Sequence, residues 1–192
     1  MTFQSPLEIS ARHIHLSEKD LDVLFGQGSQ ITVFKNVSQP GQFSTNETLD
    51  VVGPKGTLKA VRIVGPVRSQ TQVELSMTDT RVLGIKPPLK VSGDLESSLG
   101  GLKLIGPAGE VELNRGIIIA KRHLHIQPEL ALEWGIKQGD VVKVKIGGER
   151  ALVFDQVIVR SRDGIDALAV HLDTDEANAA GLVGGEIGEV II

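Results

Sequence analysis

Ile9-Ser10-Ala11-Arg12-His13-Ile14-His15-Leu16 returns later in the chain as Ile119-Ala120-Lys121-Arg122-His123-Leu124-His125-Ile126, and this repeat decides how the sequence is read. The likeness runs on downstream. Ser17-Glu18-Lys19-Asp20-Leu21 matches Gln127-Pro128-Glu129-Leu130-Ala131 in residue type, and Phe25–Val33 matches Trp134–Val142 with a slip of about one residue. Two copies describe two related halves; a solenoid needs three or more. The expected halves are residues 1–112 and 113–192, each with one His-x-His motif.

Working outward, each copy reads as strand, short helix, strand. Leu7–Leu16 and Gly116–Ile126 alternate as strands do. Ser17 with Asp20 three residues on gives an N-terminal capping signature, and Pro128 suits a first helical turn. Glycines at Gly26, Gly28 and Gly135 stop these helices. Short strands are expected at 31–34, 49–52, 57–64, 70–76, 102–105, 141–146, 151–159, 167–172 and 189–192. Gly53-Pro54-Lys55-Gly56, Pro107-Ala108-Gly109, Gly147-Gly148 and Arg162-Asp163-Gly164 read as turns between them. Two more short helices fit Thr78–Leu83 and Thr174–Ala180, and Lys86–Gly101 reads as a linker or long loop. Many short strands favour small β-barrels. The expected fold is mainly β with short helices: two pseudo-repeated β-barrel domains flanked by short α-helices.

Composition narrows the function. The 192 residues carry 20 Lys and Arg against 24 Asp and Glu, a net charge of −4, and no long basic run. With aromatics at only 3%, neither the charge nor the stacking platforms of a nucleic-acid binder are present. The absence of cysteine excludes disulfides, cysteine-ligated zinc, iron–sulfur clusters and a cysteine nucleophile. No apolar stretch approaches the roughly 20 residues of a membrane span, and Met1–Pro6 does not open like a signal peptide. A soluble cytoplasmic protein is expected.

All five histidines fall in patterns. Four form the two Arg-His-x-His motifs, and His171 ends the apolar run Ala167–Val170. In a strand, residues i and i+2 share a face, so each motif presents two imidazoles side by side, which suits two ligands on one metal ion. Each site then needs a third histidine or a carboxylate. His123, His125 and His171 would complete one site; His13 and His15 would want a carboxylate from the first half. Glu74, between Val73 and Leu75, is the best candidate, against its alternative as an exposed strand residue. Arg12 and Arg122 point to the opposite strand face and read as ion-pair partners. Arg68, after Gly65-Pro66-Val67, sits where a turn could swing it over a metal site. A guanidinium beside cations needs an anion between them, and phosphate fits; the alternative is a solvated turn arginine.

Taken together, Ser10–Ser17, Gly65–Glu74, Val91-Ser92-Gly93-Asp94, Arg122–His125 and His171–Asn178 resemble the PduL family of phosphate acyltransferases in order and spacing. The resemblance implies two β-barrel domains with the active site between them, holding two zinc ions per chain. It implies the reaction acyl-CoA + phosphate ⇌ acyl phosphate + CoA, with an acetyl or propanoyl chain. Carried over by position, His13, His15 and Glu74 bind one zinc, and His123, His125 and His171 the other. Arg68 holds phosphate as the catalytic arginine. CoA lies along Ile9, Ser10 and Ala11, with Lys55, Arg62 and Asn178 near its polar groups. The partners are then acyl-CoA or CoA and phosphate or acyl phosphate, with no nucleic acid and no membrane; a homodimer is the default assembly. Family members housed in bacterial microcompartments often carry an amphipathic N-terminal extension, and the few residues ahead of the first strand here do not make one.

The chemistry expected is direct attack of a held phosphate on the thioester carbonyl. Two alternatives stand beside it: a metal-dependent thioester or phosphoester hydrolase, which would need no phosphate, and a non-catalytic metal-binding structural protein with closed four-ligand sites.

Overall fold

The computed structural model describes residues 1–192. Its elements run β1 (Thr2–Ser10), β2 (His13–His15), α1 (Glu18–Phe25), β3 (Val33–Asn36), β4 (Phe43–Val52), β5 (Thr57–Gly65), β6 (Gln72–Leu75), α2 (Met77–Leu83), β7 (Leu89–Lys90) and β8 (Leu102–Ile105). They continue with β9 (Glu110–Leu113), β10 (Ile117–Ala120), β11 (His123–His125), α3 (Pro128–Trp134), β12 (Val141–Ile146), β13 (Leu152–Arg160), β14 (Ala169–Asp173), α4 (Thr174–Ala180) and β15 (Ile187–Ile191). No helix is long and apolar enough to cross a membrane.

The chain forms two compact units, each built from separated segments. One takes Met1–Ala11, Ser38–Pro40 and Lys121–Ile192. It is a closed barrel in the strand order β1-β14-β11-β13-β12-β15. Strict alternation in β12 turns Val142, Val144 and Ile146 inward, where they meet Leu7, Leu124, Val157, Val159, Val170 and Val190. Phe3 stacks on Trp134 with ring centroids 4.4 Å apart, fixing α3 to this core.

The other unit takes Arg12–Val37 and Gly41–Ala120. Its curled nine-stranded sheet runs β7-β10-β6-β2-β5-β4-β8-β9, with β3 added beside β4. Ile14, Leu24, Val51, Ile63, Leu83, Leu104 and Ile117 are fully buried in its core. The mainly β character with short helices is as the sequence predicts. Only the first unit closes into a barrel; in the second, the end strands β7 and β9 do not pair with each other.

Three expectations change in detail. The presumed strands Leu7–Leu16 and Gly116–Ile126 each break in two, at Ala11-Arg12 and Lys121-Arg122. At each break the chain passes from one unit to the other. The compact units therefore do not follow a division at 112 and 113: β1 pairs with β14 and β15, and β10 pairs with β6 and β7. Lys86–Gly101 is the long loop of the two alternatives and not a linker: only Leu89–Lys90 within it is strand, β7 pairs with β10, and Leu99 bridges Ile117 within the second unit. The strand β9 escaped the sequence reading because Glu110-Val111-Glu112-Leu113 is short and half charged.

Helix ends follow the local code. Ser17 accepts from the Asp20 amide at the start of α1. Ser76 with Asp79 and Asp173 with Glu176 close capping boxes on α2 and α4. Gly84, Gly135 and Gly181 end α2, α3 and α4 in the left-handed conformation that glycine adopts without strain.

Candidate functional site

In the second unit, β2 carries His13 and His15 on one face while Ile14 between them is fully buried in the core. β2 lies antiparallel to β6 with His13 opposite Glu74 and His15 opposite Gln72. His13 Nε2 and His15 Nε2 approach to 3.1 Å, with Glu74 Oε1 3.7 and 3.8 Å from them. Three donor atoms thus converge within 4.8 Å. Glu74 is held by Gln72 Nε2 and the Ser92 hydroxyl, while the Gly93 amide donates to Gln72 Oε1 at 3.1 Å.

The barrel unit repeats this plan. β11 carries His123 and His125, and its antiparallel neighbour β14 sets His171 opposite His123. His123 Nε2 and His125 Nε2 stand 2.9 Å apart, and the donor atoms of all three histidines fall within 4.8 Å. His125 Nδ1 donates to Asp166 Oδ1 at 2.6 Å, and Arg162 clamps that carboxylate through Nε at 2.9 Å and Nη2 at 2.8 Å. His171 Nε2 lies 2.9 Å from Glu8 Oε2.

The two clusters occupy equivalent places in the repeat. Glu74-Leu75-Ser76 leads into α2 as His171-Leu172-Asp173 leads into α4, each third donor lying two residues before a capping-box N-cap. Arg12 donates to Asp79 at 2.8 Å, and Arg122 to Glu176 at 2.6 Å; both acids are the third helical residue of their capping boxes. The arginines of the two motifs are ion-pair partners, as expected from the sequence, although they stand at the breaks just ahead of β2 and β11 and not within a strand; they tie each histidine strand to a helix start.

The tautomers suit a metal ion. His15 Nδ1 faces the Val64 carbonyl oxygen at 2.8 Å and His123 Nδ1 the Lys121 carbonyl oxygen at 2.8 Å. A carbonyl or carboxylate only accepts, so Nδ1 carries the hydrogen in His15, His123 and His125, and Nε2 keeps the lone pair. At 2.9 Å the Nε2 lone pairs of His123 and His125 repel unless a cation or a proton lies between them. Burial first, then the charges of His171, His125 and Arg160, hold His123 well below the usual imidazole range. Burial likewise lowers His125 to about 4, against the opposing hydrogen bond to Asp166. His15 is pushed well below its ordinary value by burial, His13 and the Arg68 guanidinium. A proton is therefore disfavoured at neutral pH, and two neutral imidazoles with a third donor match the set that zinc takes.

Arg68 follows β5; its amide donates to the Leu16 carbonyl at 2.8 Å and its backbone bridges Ser17, so its charge acts on His15. Ile9 and Ser10 end β1 beside Leu172 and Asp173, Ala11 follows at the break, and Asn178 is exposed on α4, which packs against β1. Lys55 lies in the turn joining β4 to β5 and lines a cavity of about 490 Å³ with Arg81, Lys86, Ile85 and Ile119. Arg62 donates to the Thr45 carbonyl and lies 4.9 Å over the Phe34 ring. Sequence reasoning missed Asp166, Gln72 and Glu8. The shared pattern of a donor, leucine and an N-cap before α2 and α4 was the one readable signal of how the third donors are placed.

Fold and site define a class: a duplicated β protein with an imidazole-rich, three-donor cluster in each of its two units. The particular family follows from comparison. The family model described as phosphate propanoyltransferase matches residues 6–183, and the chain belongs to that family of acyltransferases. A phosphate propanoyltransferase of Thermotoga maritima is 48% identical over 184 residues, covering 95% of this chain and 87% of the relative. That of Shewanella putrefaciens is 50% identical over 182 residues, covering 94% and 85%. That of Clostridioides difficile is 44% identical over 185 residues, covering 96% and 88%.

Proposed function

We propose that this chain is a zinc-dependent phosphate acyltransferase interconverting a short-chain acyl-CoA (acetyl or propanoyl) plus phosphate with acyl phosphate plus CoA. The observation that carries the metal dependence is the pair of largely buried clusters, His13-His15-Glu74 and His123-His125-His171, each bringing three donor atoms within 4.8 Å, with the Nε2 lone pairs of His123 and His125 turned toward one another. Bound there, zinc would supply Lewis acidity toward phosphate and carbonyl oxygens.

The chain's own residues do the rest. Arg68, whose charge already acts on the first cluster, grips phosphate through its planar guanidinium and aims an oxygen at the thioester carbon. The carbon–oxygen bond forms, the carbon–sulfur bond breaks, and CoA leaves as the thiolate. With no cysteine in the chain, no acyl-cysteine can form, and direct displacement is the simplest route. CoA runs along Ile9, Ser10 and Ala11 with Asn178 nearby. Lys55 answers its phosphate charge from the lining of a cavity whose other cations are Arg81 and Lys86. Arg62 is the weaker CoA contact, because its guanidinium already serves Thr45 and Phe34.

Thiol release from acetyl-CoA and propanoyl-CoA, followed with and without phosphate, tests this directly. Release should require phosphate, vanish with a chelator and return with zinc. Arg68→Ala should raise KM for phosphate by roughly one to two orders of magnitude, the loss of a charge-assisted pair. Release that proceeds without phosphate would make the protein a hydrolase instead.

A further inference from the structure

His15, His123 and His125 each give an Nδ1 hydrogen to a fixed acceptor and keep Nε2 for a ligand. His171 is turned the other way. Its Nε2 faces Glu8 Oε2 at 2.9 Å, and a carboxylate cannot donate, so Nε2 holds the hydrogen and Nδ1 the lone pair. We propose that Glu8 is a positioning residue for the second cluster: it takes the Nε2 hydrogen of His171 and leaves Nδ1 as the atom offered to the metal ion. The inference rests on the metal assignment made above. Histidine ligands as a rule hand their other ring N–H to a carboxylate or carbonyl, which fixes tautomer and ring orientation.

Glu8 is built into place. The parallel β1–β14 ladder sets it beside His171 in register. The Ser38 hydroxyl donates to Glu8 Oε2 at 2.6 Å. Ser38 is held in turn by Gln39, which is 2% exposed and donates from Nε2 to Ser38 Oγ at 3.1 Å. Gln39 also takes both backbone groups of Ala167, accepting from its amide at 2.9 Å and donating to its carbonyl at 3.1 Å. Ser38 Oγ accepts from Gln39, so its own hydrogen is committed to Glu8. The segment Ser38–Pro40, which belongs to the barrel unit, thereby carries a hydrogen-bond chain, anchored on the buried Gln39, that ends on His171.

The test uses the full chain, labelled with nitrogen-15 histidine and loaded with zinc. Long-range proton–nitrogen correlation reads which ring nitrogen is protonated and which is metal-bound. His171 should be bound through Nδ1 with Nε2 protonated, and His123 and His125 the reverse. His171 bound through Nε2 overturns the proposal while leaving the metal site standing. No zinc-dependent change at any of the three histidines overturns the metal assignment and the proposal with it. In a chelator competition, Glu8→Ala should weaken zinc at this cluster by about 10–100-fold. Glu8→Gln, whose amide oxygen still accepts, should recover most of that loss. A folded Glu8→Ala protein with unchanged zinc affinity contradicts the assignment.

Discussion

His125 illustrates how burial prepares a side chain for its task. The ring is almost inaccessible, and desolvation brings its pKa from 6.5 to about 4 even though Asp166 pulls the other way. In the metal-free protein this has a signed consequence. Between pH 6.5 and 4 the unfolded chain binds a proton that the folded chain refuses, so stability must fall as pH drops through that window. Chemical denaturation of the metal-free protein at stepped pH should show the decline, and His125→Gln should flatten part of it. An unchanged slope in the variant would contradict the assignment. At this scale the His-x-His pairs were legible because two residues two apart on a strand share a face. Asp166, far along the chain from His125, was not legible, because only tertiary contact gives it that partner.

Among the elements, two Gly-Pro-x-Gly turns show a packing device that the sequence hinted at only as punctuation. Gly53-Pro54-Lys55-Gly56 lies on the end of α2, where the Lys55 amide donates to the Leu83 carbonyl at 3.0 Å. Gly106-Pro107-Ala108-Gly109 lies on the end of α1, where the Ala108 amide donates to the Leu24 carbonyl at 3.0 Å. These turns satisfy carbonyls that a helix end leaves open. The approach is close: a Cβ on Gly106 would meet the Leu24 carbonyl oxygen at 2.4 Å and one on Gly53 the Leu83 oxygen at 2.5 Å. Backbone cannot step aside as a side chain can. Gly106→Ala should therefore cost about 1–3 kcal/mol, read as a lower denaturant midpoint. Gly147→Ala, which would meet nothing within 4 Å, should stay close to the parent protein. Equal midpoints for the two variants would contradict the close packing.

Over the whole molecule, the N-terminal strand belongs with the C-terminal half. β1 closes the barrel between β14 and β15, and Leu7 on it is 2% exposed in that core. Removing residues 1–10 would open two ladders at once and take away both Phe3 and Glu8. The single tryptophan, Trp134, stacked on Phe3, reports on this unit. Its emission should move to the red in the truncated protein, and zinc binding at His123, His125 and His171 should be lost. Native emission with intact binding would show that the barrel does not need β1.

What the sequence determined by itself is local in origin: the duplication, the strand and helix periods, the capping serines and aspartates, the glycine stops and the paired imidazoles. Each depends on residues within a few positions of one another, so the pattern is visible in the chain. Only the tertiary structure decided that each long motif strand would break between units, that β1 would seal the barrel and that the other sheet would curl without closing. It also decided that Glu74 would face His13, His171 would face His123 and Glu8 would face His171. Those pairings join segments far apart in sequence, and they are selected by strand register and by the burial of Leu7, Ile14 and Leu124 in two separate cores.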